Sequence, residues 1–97
     1  MNPQSIELHL FAEGGVQGVG YREFVRRSAE RFGVAGWVRN RRDGSVEAVL
    51  RGPPASVEAV VAQMRSGPRF AEVANLRIEA REPADPEMRG FAVRQTI

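Results

Sequence analysis

The apolar positions of the chain change their spacing several times, and each change predicts a new element. Near the N-terminus they alternate with other residues, which predicts a strand, at Ile6, Leu8, Leu10 and Ala12. The spacing then becomes that of one helix face, which comprises Tyr21, Phe24, Val25, Ser28, Ala29 and Phe32. Gly33 takes the position that glycine often occupies after a helix. Two further strands are predicted over residues 34–41 and 45–51.

The second half of the chain predicts another helix and two late strands. The helix opens at Gly52-Pro53-Pro54 and closes at Gly67-Pro68. Its apolar stripe comprises Val57, Val60, Val61 and Met64. A fourth strand is expected over residues 76–81, with Leu76, Ile78 and Ala80 on one face, and a short last strand at Phe91–Val93.

This order of elements predicts the α+β class. Strand, helix, strand, strand, helix and strand, with a short extra strand, is the order of a ferredoxin-like α/β sandwich. Its antiparallel sheet carries both helices on one face, because crossover connections are right-handed. The length of 97 residues suits a single domain, which we expect to span residues 1–97.

The hairpin between the second and third strands allows two registers. A two-residue turn at Asp43-Gly44 sets Asn40 opposite Glu47, whereas a three-residue turn that also includes Arg42 sets Arg39 opposite Glu47. We favour the second register because it matches opposite charges and apolar pairs. It pairs Arg39 with Glu47, Val38 with Ala48 and Trp37 with Val49.

A glycine loop, residues 14–20, joins the first strand to the first helix. It holds four glycines in seven positions, and Arg22 follows where the helix begins. Glycine permits positive φ and close approach of a ligand to the backbone. Loop N–H groups at a helix N-terminus bind anions, and a guanidinium matches phosphate oxygens. The loop therefore predicts a phosphate site, and the alternative is a glycine-rich turn beside a surface arginine.

Asn40 is the second candidate. Strand alternation puts it on the same sheet face as Val38. If that face is covered by the helices, the amide needs polar partners there. The alternative is that Asn40 only bonds the backbone near the turn.

Composition excludes several classes of protein. The chain has no cysteine, and all 14 of its basic residues are arginines. Disulfides, thiolate sites, a Schiff-base lysine and the P-loop lysine are therefore excluded. The formal net charge of +2 argues weakly for nucleic acid. Residues 1–5 do not resemble a signal peptide, and no apolar run has the length of a membrane span, so we expect a cytoplasmic protein.

Two segments together resemble the signatures of the acylphosphatase family. The first is Gly14-Gly15-Val16-Gln17-Gly18-Val19-Gly20-Tyr21-Arg22. The second is Gly36-Trp37-Val38-Arg39-Asn40 with Asp43-Gly44-Ser45-Val46-Glu47, and their spacing and the late Phe91-Ala92-Val93 also agree. The chain is similar to the family from end to end. It departs at Gly15, where the family often carries a basic or larger residue, and at Tyr21, which is often Phe.

The resemblance implies hydrolysis of the carboxyl–phosphate bond of small acyl phosphates to a carboxylate and inorganic phosphate. It implies that Arg22 and Asn40 are catalytic, Arg22 by binding phosphate and Asn40 by positioning water. The implied phosphate-binding groups are Arg22 and the amides of Gly15, Val16, Gln17, Gly18, Val19 and Gly20. No metal or cofactor is implied. We also expect a monomer that phosphate or sulfate inhibits and that binds neither nucleic acid nor membranes.

The chemistry suits a sequence without an obvious general acid or base. The leaving group is a carboxylate whose acid has a pKa of about 4, so it departs without a proton. Asn40 orients water but does not accept its proton, which can pass to the phosphate itself. His9 is the only histidine, and we expect a structural or surface role for it.

Two other functions remain open at this point. An RNA-binding module of the same fold would need stacking aromatics on its central strands, and residues 45–51 contain none. We expect Trp37 to pack on the sheet surface instead. The chain could also be a module of a larger carbamoyl-transfer protein, but we expect a separate enzyme.

Overall fold

Seven elements follow the predicted order. The computed structural model describes residues 4–97; residues 1–3, part of the segment expected not to be a signal peptide, lie outside the described residues. The elements are β1 (Ile6–Gly15), α1 (Tyr21–Arg31), β2 (Ala35–Asn40), β3 (Val46–Gly52), α2 (Pro54–Ser66), β4 (Glu72–Pro83) and β5 (Phe91–Val93). The ferredoxin-like α+β prediction is confirmed.

The five strands form one mixed sheet in the order β4-β1-β3-β2-β5. The neighbours β1–β3, β1–β4 and β2–β3 are antiparallel, as predicted. The short β5, the extra strand whose direction the sequence did not predict, runs parallel to β2. The reason is topological: the chain reverses once between β4 and β5, and β5 therefore runs in the direction of β1 and β2.

The three-residue hairpin is confirmed. Arg39 lies opposite Glu47 and Val38 opposite Ala48. The Arg41 N–H donates to the Ser45 carbonyl at 2.9 Å, which closes a turn of the three intervening residues. Gly44 has a φ of +95°, a left-handed conformation that favours glycine.

The core lies between the sheet and the two helices. Alternate residues of β1 are buried, and the Tyr21 side chain at the start of α1 is 1 % exposed. The Tyr21 hydroxyl donates to the Met64 carbonyl of α2 at 2.9 Å, and burial raises the pKa of Tyr21. These contacts fix the start of α1 against α2.

The edge strand β4 differs from its predicted form. It spans Glu72–Pro83 rather than residues 76–81, and Leu76 is its one buried residue. Ile78, expected beside Leu76 on the core face, is 45 % exposed. Ile78 pairs with Leu10 in the same register in which Leu76 pairs with Ala12, so Ile78 keeps the predicted face, and its exposure accompanies the position of β4 at the edge of the sheet.

Candidate active site

The glycine loop connects the end of β1 to the start of α1. Gly18 and Gly20 have φ values of +74° and +78°, which explains why the loop needs glycine at these two positions. Gly20 caps α1, and its carbonyl accepts the Phe24 N–H at 3.0 Å. Among the described residues, the N–H groups of residues 17–20 donate to no hydrogen bond. They are therefore available to an anion at the positive end of α1.

Gln17 links the loop to the hairpin that follows β2. Its side-chain Nε2 donates to the Arg41 carbonyl at 2.7 Å and to the Ser45 carbonyl at 2.9 Å. These carbonyls belong to the two ends of the β2–β3 turn. The side chain thus holds the glycine loop beside the strand end that carries Asn40. The sequence indicated only a backbone contribution from Gln17, since its partners are distant in the chain.

Arg22 lies in the first turn of α1 and is half-buried. Its guanidinium makes no hydrogen bond or ion pair with other side chains or the backbone in the described part of the chain. Two other arginines of α1 are occupied by carboxylates: Arg26 contacts both Glu23 and Glu30, and Arg27 contacts Glu23. A half-buried cation with unused donors suits an anionic ligand.

Asn40 ends β2 and is half-buried. It shares a sheet face with the fully buried Val38, as strand alternation predicts. Its backbone carbonyl accepts the Ile97 N–H at 3.1 Å. Within residues 4–97 its carboxamide has no hydrogen-bonding partner. The Asn40 side chain therefore does not bond the backbone near the turn, which was the alternative interpretation.

Arg22 and Asn40 line one open cleft of about 350 Å³. We call it the Arg22 cleft, and it is lined by Val16, Gly18, Gly20, Tyr21, Arg22, Glu23, Asn40 and Val93. Gly15, Gln17 and Val19 are outside this lining. Gly15 ends β1 opposite Glu72, and Val19 packs against the core.

Three residues of the cleft lining were not among the site residues predicted from the sequence: Tyr21, Glu23 and Val93. The Glu23 carboxylate accepts hydrogen bonds from Arg26, at 2.9 Å from Nε, and from Arg27. The Arg26 hydrogen bonds chiefly lower the pKa of Glu23 to about 2. Val93 belongs to β5, which lies at one edge of the sheet. The sequence could have indicated Glu23, because it directly follows Arg22. It could not have indicated Val93, because the place of Val93 in the cleft depends on the order of strands in the sheet.

The sheet face opposite the helices, here the open face, carries a separate ionic cluster. Glu47 is 4 % exposed and accepts from Arg39 at 2.8 Å, Arg41 at 3.0 Å and His9 at 2.6 Å. The structural role expected for His9 is thus present. Trp37 packs on this face with the Arg39 guanidinium 4.7 Å from its ring centroid.

Residues 4–97 contain neither a cluster of metal-binding side chains nor a helix that could cross a membrane. No three His, Cys, Asp or Glu side chains are grouped so that they could hold a metal ion. Neither helix combines the length and hydropathy of a membrane-crossing segment.

The fold and cleft define a class: a ferredoxin-like α+β domain with a glycine-rich loop of unused N–H groups before its first helix. Comparison with known proteins identifies the family. The acylphosphatase family model matches residues 8–93. An acylphosphatase of Thiobacillus denitrificans is 55% identical over 75 residues, covering 77% of this chain and 84% of the relative. One of Bifidobacterium longum is 44% identical over 90 residues, covering 93% of each chain.

Structural similarity agrees with the sequence matches. The crystal structure of acylphosphatase from Bacillus subtilis superposes with a TM-score of 0.86 at 30% identity. The matched part covers 92% of this chain and 98% of that one. This chain belongs to the acylphosphatase family, whose enzymes hydrolyse acyl phosphates.

Proposed function

We propose that the Arg22 cleft hydrolyses the carboxyl–phosphate bond of small acyl phosphates. Arg22 and the glycine-loop amides hold the phosphate, and Asn40 positions the attacking water. The observation that carries the proposal is the meeting of two groups with unused hydrogen-bonding capacity, the Arg22 guanidinium and the Asn40 carboxamide, in one cleft. Family membership supports the reaction class.

The reaction is a displacement at phosphorus. The water oxygen forms a bond to phosphorus while the bond from phosphorus to the acyl oxygen breaks, and its electron pair leaves on the carboxylate. The proton of the water passes to a phosphate oxygen, because Asn40 does not accept one. Such a reaction depends chiefly on positioning and on stabilising charge in a loose transition state.

The elements around the cleft supply both requirements. Unused N–H groups and the N-terminus of α1 stabilise the equatorial phosphate oxygens. Arg22 adds a planar cation that forms two parallel hydrogen bonds. Gln17 supports the geometry, since it joins the loop to the turn beyond Asn40.

The substrate is a small molecule, and phosphate and sulfate compete with it because both anions suit the loop. We further propose a monomeric, cytoplasmic enzyme formed by a single domain over residues 1–97, without a nucleic-acid or membrane partner and without a metal or cofactor.

Phosphate release from benzoyl phosphate in the presence of a chelator tests the proposal. Arg22→Ala is expected to lower kcat/KM by about 10²–10³-fold, because it removes a charged donor from the transition state. Arg22→Lys should recover only part of the loss, since an ammonium lacks the planar fork. Arg27→Ala, on the exposed side of the same helix, is the matched control and should retain activity.

Circular dichroism of each variant establishes that it is folded. Full activity in folded Arg22→Ala would contradict the proposed site.

A further inference from the structure

The two proposed tasks of the Arg22 cleft, phosphate binding and water positioning, fall on separate segments of the chain. Arg22 follows the glycine loop, whereas Asn40 directly precedes the β2–β3 turn, residues 41–45. Attack of water on phosphorus needs a fixed distance between these segments, because a displacement of about 1 Å costs on the order of 10²-fold in rate. The contacts that join the two segments therefore bear on catalysis.

The glycine loop is held by the core and by α1. Val16 is 1 % exposed, and Val19 packs against the buried cluster. The Gly20 carbonyl accepts the Phe24 N–H at 3.0 Å in the first turn of α1. These contacts fix the shape of the loop and the direction in which it enters the helix.

The β2–β3 turn has hydrogen bonds of its own. The Arg41 N–H donates to the Ser45 carbonyl at 2.9 Å. The Asp43 carboxylate accepts the Ser45 N–H at 2.9 Å and the Ser45 hydroxyl at 2.6 Å. The Arg41 guanidinium also donates to Glu47 at 3.0 Å. The turn therefore keeps its shape without help from the glycine loop.

The Gln17 side chain joins these two preformed segments. Its Nε2 group has two N–H donors, and it donates to the Arg41 carbonyl and to the Ser45 carbonyl. Within residues 4–97, no other hydrogen bond joins the glycine loop to the turn. The Arg41 carbonyl lies one residue after Asn40, so the position of Gln17 sets the distance from the loop to the strand end that carries Asn40.

We propose that Gln17 is a positioning residue, whose carboxamide fixes the glycine loop at the distance from Asn40 that brings the attacking water into line with the bound phosphate. This inference rests on the proposed function. Gln17 acts through Asn40, since it lies outside the lining of the Arg22 cleft. Its contribution should therefore appear in kcat and should depend on the presence of Asn40.

The test is a double-mutant cycle of Gln17→Met with Asn40→Ala, assayed with benzoyl phosphate as substrate and inorganic phosphate as inhibitor. Methionine has the length of glutamine but no N–H donor. Gln17→Met is expected to lower kcat by about tenfold and to change the inhibition constant of phosphate by less than about twofold, because the loop keeps its shape. In the Asn40→Ala background, Gln17→Met should leave kcat nearly unchanged, since the water is already misplaced.

Asp43→Ala is the matched control. It also removes two hydrogen bonds of the turn, but the two carbonyls that accept from Gln17 remain. Its kcat should therefore stay within about twofold of the wild-type value. Gln17→Glu is a second variant, because its carboxylate keeps the shape of the side chain and has no donor for the two carbonyls. It should lower kcat at least as much as Gln17→Met.

Several results would overturn the positioning role while hydrolysis itself stands. They are an unchanged kcat in Gln17→Met, an equal fall of kcat with and without Asn40, an equal fall in Asp43→Ala, and a loss of phosphate affinity without a loss of kcat. Loss of folding in both Gln17 variants would assign the side chain to stability instead. Failure of the wild-type protein to release phosphate from benzoyl phosphate overturns the proposed function, and the inference with it.

Discussion

Arg22 and Asn40 reach the same cleft from a helix and from a strand end, and their chemistry gives them different tasks. A guanidinium is a permanent cation that contacts phosphate in both the ground state and the transition state. A carboxamide is uncharged and can orient a water molecule through one donor and one acceptor group. The two side chains should therefore control different kinetic constants.

Asn40→Ala is expected to lower kcat on the order of 10²-fold, the cost of a misplaced reactant, with little change in the inhibition constant of phosphate. A contact made chiefly in the transition state lowers kcat and kcat/KM together. Asn40→Asp should also weaken phosphate inhibition, because a carboxylate repels the anion. Steady-state kinetics with phosphate as inhibitor measures both constants.

The opposite pattern would contradict the water-positioning role. A large loss of phosphate affinity in Asn40→Ala with unchanged kcat would show that Asn40 binds phosphate instead.

At the scale of elements, Glu47 on β3 connects three neighbouring strands. It accepts hydrogen bonds from His9 of β1, Arg39 of β2 and Arg41 of the following turn. Burial alone would raise the pKa of Glu47, but these three donors outweigh it and leave the pKa below its usual value. Its ionised form therefore stabilises the folded sheet.

Glu47→Gln is expected to lower the free energy of unfolding by about 2 kcal/mol at neutral pH, because hydrogen bonds to a charged acceptor are lost. A carboxyl whose pKa is lowered by folding contributes stability above its unfolded pKa, and that contribution disappears as the pH falls through its folded pKa. The difference between the variant and the wild type should therefore shrink in acid. Urea unfolding across the pH range measures it.

Equal destabilisation at neutral and acidic pH would show that packing, rather than the charge of Glu47, provides the stability.

Elements defined by local pattern were predictable, and those that depend on distant partners were not. The hairpin register followed from pairing Arg39 with Glu47, which are close in sequence and confirmed as neighbours. The exposure of Ile78 accompanies the position of β4 at the edge of the sheet, which depends on the strand order. The parallel direction of β5 and the two hydrogen bonds of Gln17 also arise from long-range contacts.

At the scale of the whole molecule, the sheet order explains how one cleft collects residues from separate parts of the chain. β2 lies between β3 and β5, so Asn40 at its end is close to Val93 of β5. The Gln17 side chain joins the glycine loop to the turn after Asn40. The motifs predicted Arg22 and Asn40 as candidates, but only the tertiary structure adds Val93 to the same cleft.

The central claim is that the glycine loop and Arg22 bind the phosphate group, and an amide NMR titration with inorganic phosphate tests it most directly. At constant ionic strength, we expect saturable shifts of the N–H signals of residues 16–20 and of the Arg22 side-chain Nε–H. Sulfate should compete, since it suits the same donors. Saturable shifts confined to other arginines, such as Arg41 or Arg94 on the open face, or no saturable shift in the loop, would contradict the claim.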